Sequence, residues 1–426
     1  MEAITSTELS RCLSDDATAR AVAWLQAWDS QGIHRTATAG DQAGADWLIE
    51  EAASLGAAPE VEKFALNRLD PIDVYLELDG ARIPGVPVFD APVTGSDGVA
   101  GIVGPVGAQT SIAVAELSPR DIYTVDYEKL RRNVVHRGVV VVCKGANPGL
   151  GLLNAERFRH PYGAPAIHLP SEARDAVLAA AARRGSARLM AASRHTLAQA
   201  CNVVVMISGQ DRTLPPVVVM TPRSSWWQST SERGGGLVCW LETLRALITS
   251  PPRCDVIFTA NSGHELGHLG LDDFMARRPG WERPAADGGA VWVHYGANIG
   301  AVGGEFSIQS TSDDLRALVA TELARAGQEP DHIAPKTLVP TGETRDIHRA
   351  GGCYLTLVGS NLLFHLPQDR WPHAVDSRHG RPCGRRCCPS RRHTNALNRA
   401  AATALWLQSG CSAAAAAAAS AFSAAI

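Results

Sequence analysis

Residues Val217 to Ile248 read VVVMTPRSSWWQSTSERGGGLVCWLETLRALI. Val217 to Met220 is a short apolar run that follows the breaker Pro215-Pro216. Such a run predicts a strand buried on both faces, as in a parallel sheet. From Glu232 to Ile248 the pattern changes to a helix, with Leu237, Leu241, Leu244 and Ile248 on its buried side. A strand followed directly by a helix predicts one unit of an alternating α/β fold.

The alternation continues downstream. Val256 to Ala260, Val291 to Tyr295 and Tyr354 to Val358 read as buried strands, and Asp313 to Ala326 as a helix. The expected architecture is α/β: a mostly parallel central sheet with helices on both faces. Upstream, Ala17 to Trp28 reads as a helix. A second helix places Trp47, Leu48, Ala52 and Leu55 on one face and ends at Gly56. Glu60 to Leu66 and Val74 to Leu78 read as strands. Between them and the α/β region the texture turns to Gly, Val and Ala, with strands at Val139 to Val142 and Asn202 to Ile207 and a helix from Ser171 to Arg184.

These shifts predict a discontinuous α/β domain over 1–85 and 205–376, an α+β insert over 86–204, and a low-complexity, disordered tail over 377–426. The tail holds the Arg-, Cys- and His-rich stretch Ser377 to Arg392 and the alanine run Ala413 to Ala419.

The formal net charge of the 426-residue chain is -3. That balance carries no basic footprint for nucleic acid or for an acidic membrane surface. Met1 to Ala27 lacks the pattern of a secretory signal, and no stretch reaches the length of a membrane span. The cysteines are scattered until Cys383, Cys387 and Cys388. Together these features predict a cytoplasmic protein with reduced thiols.

The order of segments resembles the co-catalytic zinc exopeptidases of the aminopeptidase Y, glutamate carboxypeptidase and glutaminyl cyclase type, with an inserted protease-associated domain. His34-Arg35-Thr36 before Gly40 to Gly56 is similar to the family's opening helix. Asn202-Val203-Val204 through Gly209 is similar to its return strand. Gly235-Gly236 and Leu241-Glu242 match the helix that ends in Leu-Glu, and His365-Leu366-Pro367-x-Asp369 resembles a late His-x-x-x-Asp signature. The resemblance covers about residues 20 to 376. It implies a peptide or aminoacyl-amide substrate and a site of two zinc ions that share a carboxylate.

Several residues depart from that pattern. Pro222-Arg223-Ser224 stands at the His-x-Asp position, and proline has no side-chain lone pair. Glu232 takes the place of the bridging aspartate. His264-Glu265 replaces a Glu-Glu pair, so the base position holds histidine. No acid lies from His294 to Asn298, and Thr344 stands where a histidine is implied. The expectation is therefore one zinc ion or none, with Glu232, Glu265 and His268 as metal ligands and His264 and Glu265 as catalytic residues. His264-Glu265-Leu266-Gly267-His268 also matches H-E-x-x-H, which grips zinc when it lies on a helix; Gly267 weakens a helix there. A vestigial cleft is the alternative.

Arg223 and Trp226 are candidate substrate contacts for a ligand bearing a carboxylate, against the alternative that they pack in the core. Ser229-x-x-Glu232 also reads as a capping box, and Gly234 to Gly236 either binds an anion at the helix N-terminus or serves packing. Three functions stay open: a metal-dependent hydrolase of peptide or amide bonds, a non-catalytic binding protein, and a metal-independent acid-base enzyme using Arg223, Glu232 and His264.

Overall fold

The protein is described from a computed structural model, which covers residues 15–375 apart from 134, 146, 250, 326 and 327. The readings placed on the tail, with its cysteines and alanine run, lie outside the described residues.

Two helices open the described chain, α1 (Asp15–Ser30) and α2 (Ala39–Ser54). They are followed by β1 (Glu60–Leu78), β2 (Ala81–Pro84) and β3 (Val86–Pro87). Next come β4 (Val99–Pro105), β5 (Ile112–Leu117), α3 (Val125–Arg132), β6 (Gly138–Cys143), β7 (Ala166–Leu169), α4 (Arg174–Ala182) and β8 (Ser186–Ile207). The remaining elements are β9 (Val217–Pro222), α5 (Thr230–Thr249), β10 (Val256–Asn261), α6 (Leu269–Ala276), β11 (Val291–Tyr295), β12 (Phe306–Ser310), α7 (Asp313–Arg325), β13 (His332–Ile333), α8 (Thr344–Arg349) and β14 (Cys353–Gly359).

The strands run in the order β13-β12-β14-β11-β9-β10-β8 and continue through β4-β5-β6-β7-β3, with β1 and β2 off this path. β14, β11, β9 and β10 are mutually parallel, and β12 and β8 flank them antiparallel. This is the α/β class the alternation predicts. Side chains alternate across the pleat. Val217 and Val219 pack with Trp24, Trp28, Leu237 and Leu241 on one face, and Val218 and Met220 pack with Leu271, Phe274 and Trp292 on the other.

β1 and β8 form one antiparallel ribbon, registered from Glu60 opposite Val204 to Leu78 opposite Ala187, with an irregularity between Pro71 and Asp73. The sequence reading splits β1 into two strands around that proline. The partner strand continues past the irregularity, so the ladder does too. At one end β8 pairs with β10, and at the other with β4. Between β4 and β8 the chain builds its own parallel run, β4 to β7, with separate apolar clusters beneath α4 and α3. Among the described residues, no helix is long and apolar enough to cross a membrane.

Candidate metal centre

Parallel strands end on one edge of an open sheet, and the loops beyond their carboxyl ends form the usual ligand crevice. Here those loops follow β9 at Pro222, β10 at Asn261 and β11 at Tyr295. α8 comes in beside them from Thr344.

After β10 the chain turns tightly. Gly263 has φ +85°, His264–Leu266 is a short 3₁₀ turn, and Gly267 and His268 both take left-handed φ, 77° and 63°. The H-E-x-x-H string is therefore not helical. The turn still brings the two imidazoles together, with ring centroids 5.3 Å apart. Gly267 also permits close approach of the chain from the β6–β7 connection: a Cβ there would lie 2.8 Å from the Glu156 carbonyl oxygen.

Glu343 completes the cluster. Its Oε1 lies 2.5 Å from His264 Nδ1, and its Oε2 lies 3.3 Å from His294 Nε2. His294 is oriented by a 2.7 Å hydrogen bond between its Nδ1 and Thr356 Oγ1. His268 Nδ1 faces Asp346 Oδ2 at 3.3 Å. Among the described residues, His264, His268 and Glu343 form one group whose ligand atoms all lie within 4.8 Å of one another. All three are buried, and His268 Nε2 and Glu343 Oε2 have no hydrogen-bond partner in the protein. Two imidazoles and a carboxylate are the donor set of a catalytic zinc site, which keeps a fourth position open. The residues present therefore fit one ion.

Burial and neighbouring charge act in opposite directions on the two imidazoles. Burial pushes the His264 imidazole down to about 4, against the upward pull of Glu343, and Arg233 adds to the depression. It is neutral near pH 7, as a ligand must be. Burial also acts against charge on His268, but Asp346 and Glu343 outweigh it and raise its pKa. Glu343 is held well below the usual carboxylate range: burial opposes its charge, but His264 and His294 stabilise it more.

The expected ligands Glu232 and Glu265 lie elsewhere in the same crevice. Glu265 is buried and fully engaged. Its Oε1 accepts from the Thr36 amide at 2.8 Å and the Thr36 hydroxyl at 2.6 Å, and its Oε2 accepts from the Ser224 hydroxyl at 2.5 Å. Ser224 Oγ in turn accepts from the amides of Gly263 and His264. Glu265 thus ties the turn after β10 to the segment before α2. The metal group above does not include it.

Glu232 is buried on the first turn of α5, and neither of its oxygens makes a hydrogen bond. Arg233 Nη2 lies 2.8 Å from its Oε1 and His365 Nε2 lies 3.3 Å from the same atom. Burial opposes the Glu232 charge, but Arg233 and His365 outweigh it and bring the pKa down to about 2. The capping box is not formed: Ser229 Oγ is unpartnered, and Asp369 accepts from the Ser231 and Glu232 amides at 2.8 and 3.0 Å. Gly235 and Gly236 serve packing, because Cβ atoms there would lie 1.7 Å from Ile299 O and 2.6 Å from Thr221 Oγ1.

Arg223 and Trp226 are buried in partnered positions. Arg223 forms an ion pair with Asp41 at 2.8 Å and donates to the carbonyls of Asp41 and Cys201. Trp226 donates to Asn154 Oδ1 at 3.0 Å and packs on Phe89. Neither is presented to the cluster as a free contact. Instead the residues between β4 and β8 supply Glu156, whose carboxylate pairs with Arg345 at 2.7 Å. Sequence reasoning did not single out Glu343, His294, Arg233 or His365 as site residues. Its available signal for Glu343 was an acid beside the position where the resemblance implies a histidine.

No family model matches this chain, and no curated protein matches it. Solved structures do. The chain is similar to a zinc aminopeptidase from Bacillus subtilis, at 16% identity over 91% of this chain and 94% of that one, with a TM-score of 0.72. It is also similar to an aminopeptidase from an Aneurinibacillus strain, at 14% identity over 95% and 96%, with a TM-score of 0.67. A peptidase precursor from Shewanella amazonensis matches at 12% identity over 95% and 96%, with a TM-score of 0.63. The chain therefore has the fold of the zinc aminopeptidases.

Proposed function

We propose that the protein is an aminopeptidase-like hydrolase of peptide or amide bonds that works with a single zinc ion held by His264, His268 and Glu343. The observation that carries this reading is the meeting of three buried donors, two with unmade lone pairs, at the carboxyl edge of a zinc-aminopeptidase fold. Bound there, zinc would polarise a carbonyl and acidify a water. His294, fixed by Thr356, stands 3.3 Å from the other oxygen of Glu343. Glu232 is the carboxylate left to accept a hydrogen bond from the water and orient it, since both of its oxygens lack hydrogen bonds and it remains ionised at neutral pH. The substrate class is a small peptide or aminoacyl amide, the compartment is the cytoplasm, and residues 86–204 act as a protease-associated-like insert that closes over the site.

A second reading, a binding protein without catalysis, draws on the engagement of Glu265 by Thr36 and Ser224, which leaves it unavailable to a metal. One experiment separates the two. Purified protein is analysed for metal and assayed on dipeptides and aminoacyl amides before and after chelation. About one zinc per chain with chelator-sensitive turnover is expected. Protein that binds no added zinc and turns over no substrate supports the second reading instead.

A further inference from the structure

Arg233 is a buried cation of this crevice whose ion pair with Glu232 engages only one of its two terminal nitrogens. Its side chain is fully enclosed. Nε donates to the Ser224 carbonyl at 2.7 Å, which fixes the plane of the guanidinium. Nη2 forms an ion pair with Glu232 Oε1 at 2.8 Å, and neither Nη1 nor Nη2 has a hydrogen-bond partner in the protein. Arg233 lies in the first turn of α5, beyond the carboxyl end of β9. Burying a guanidinium with its terminal donors unmade is costly. A planar pair of N–H donors matches a carboxylate in bidentate fashion. The other buried arginines do not offer this: Arg223 and Arg131 have their terminal nitrogens on protein acceptors.

We infer that Arg233 is a specificity residue that receives the free carboxylate of the substrate, so that the preferred substrates are short amides whose leaving amine is an amino acid: dipeptides and N-acyl amino acids rather than aminoacyl amides or long chains. The inference rests on the hydrolase reading for the scissile bond, but the binding part stands without it. Because the guanidinium is held on Ser224 and beside Glu232, a carboxylate arriving there would lie at the start of α5, on the same helix turn as Glu232.

The test compares a dipeptide with its C-terminal carboxamide on the zinc-loaded protein. Hydrogen bonds between charged groups give an expected preference of about 10- to 100-fold in kcat/KM for the free acid. Arg233→Met should bring that ratio to about one and Arg233→Lys should restore part of it, with circular dichroism checking that each variant folds. Equal hydrolysis of acid and carboxamide by the wild-type protein overturns the inference and leaves the hydrolase reading standing. If neither compound is hydrolysed, calorimetric binding decides. Tighter binding of the dipeptide by about 10-fold or more supports the carboxylate site, and equal or absent binding overturns it.

Discussion

Glu343 Oε1 lies 2.5 Å from Nδ1 of His264, which joins the turn after β10 to the loop before α8 across 79 positions of sequence. The contact places Glu343 with His264 and His268 in a group that could hold a metal ion, where the sequence reading expects Glu232 and Glu265. It also sets the first prediction. Glu343→Gln and His268→Ala should each weaken zinc binding by at least about 100-fold, beyond the 10- to 100-fold effect of outer partners. Competition with a chromogenic chelator measures this. Unchanged affinity in both variants would remove the His264, His268 and Glu343 site.

Glu265→Gln separates a ligand from a brace. The carboxylate accepts three hydrogen bonds inside the protein. An amide must turn its NH2 group toward at least one of those donors. The expected cost is about 2–4 kcal/mol of stability, since the replaced bonds are buried and charge-assisted. Zinc stoichiometry should stay near one. A variant as stable as wild type that has lost its metal would reverse this assignment.

Arg223 offers a parallel case. Its guanidinium and the Asp41 carboxylate are both buried, and Asp41 also accepts from Ala37 and Ser262. Removing one partner strands the other charge, so Arg223→Met should destabilise by about 3–5 kcal/mol. Urea unfolding measures the loss. A substrate contact at Arg223 would instead show as a raised KM with a normal unfolding midpoint.

These cases show why the sheet was legible and the site only in part. Val217–Pro222, Val256–Asn261 and Val291–Tyr295 are apolar runs whose partners are also apolar runs, so local pattern and tertiary pairing agree. The ribbon β1–β8 was not legible at its centre. Residues such as Arg194, Thr196 and Gln199 are not apolar, and Pro71 breaks the opposing run, yet register with the partner strand keeps both extended. Spacing named His264 and His268, because they lie four positions apart. It could not name Glu343 or His294, whose meeting brings the loop before α8 against strand β11. Arg223, Glu232 and Glu265 were noticed as polar residues at a functional edge. Their partners Asp41, Arg233 and Thr36 decide what they do, and those partners show only in three dimensions.

The last prediction concerns pH, in metal-free protein. Burial brings His264 from its ordinary 6.5 down to about 4. Between those values the unfolded chain holds more protons at this site than the folded one. Its contribution to stability is therefore complete above about 6.5 and is lost as pH falls toward 4. Asp369 opposes it. Burial, with the nearby charge of Glu232, raises this carboxyl from 3.8 to about 7. Here the folded state holds the proton more tightly, so the contribution is present below about 3.8 and is lost as pH rises through 7. The two slopes have opposite sign over their shared range, so the difference from wild type isolates each. His264→Gln relative to wild type should show a stability difference that becomes less negative as pH falls from 6.5 to 4. Asp369→Asn relative to wild type should show one that becomes more positive as pH rises from 4 to 7. Urea midpoints taken in chelator at half-unit intervals read both. Profiles parallel to wild type in both variants would mean that neither group titrates differently on folding, and that the neutral His264 required of a ligand is not supplied by its burial.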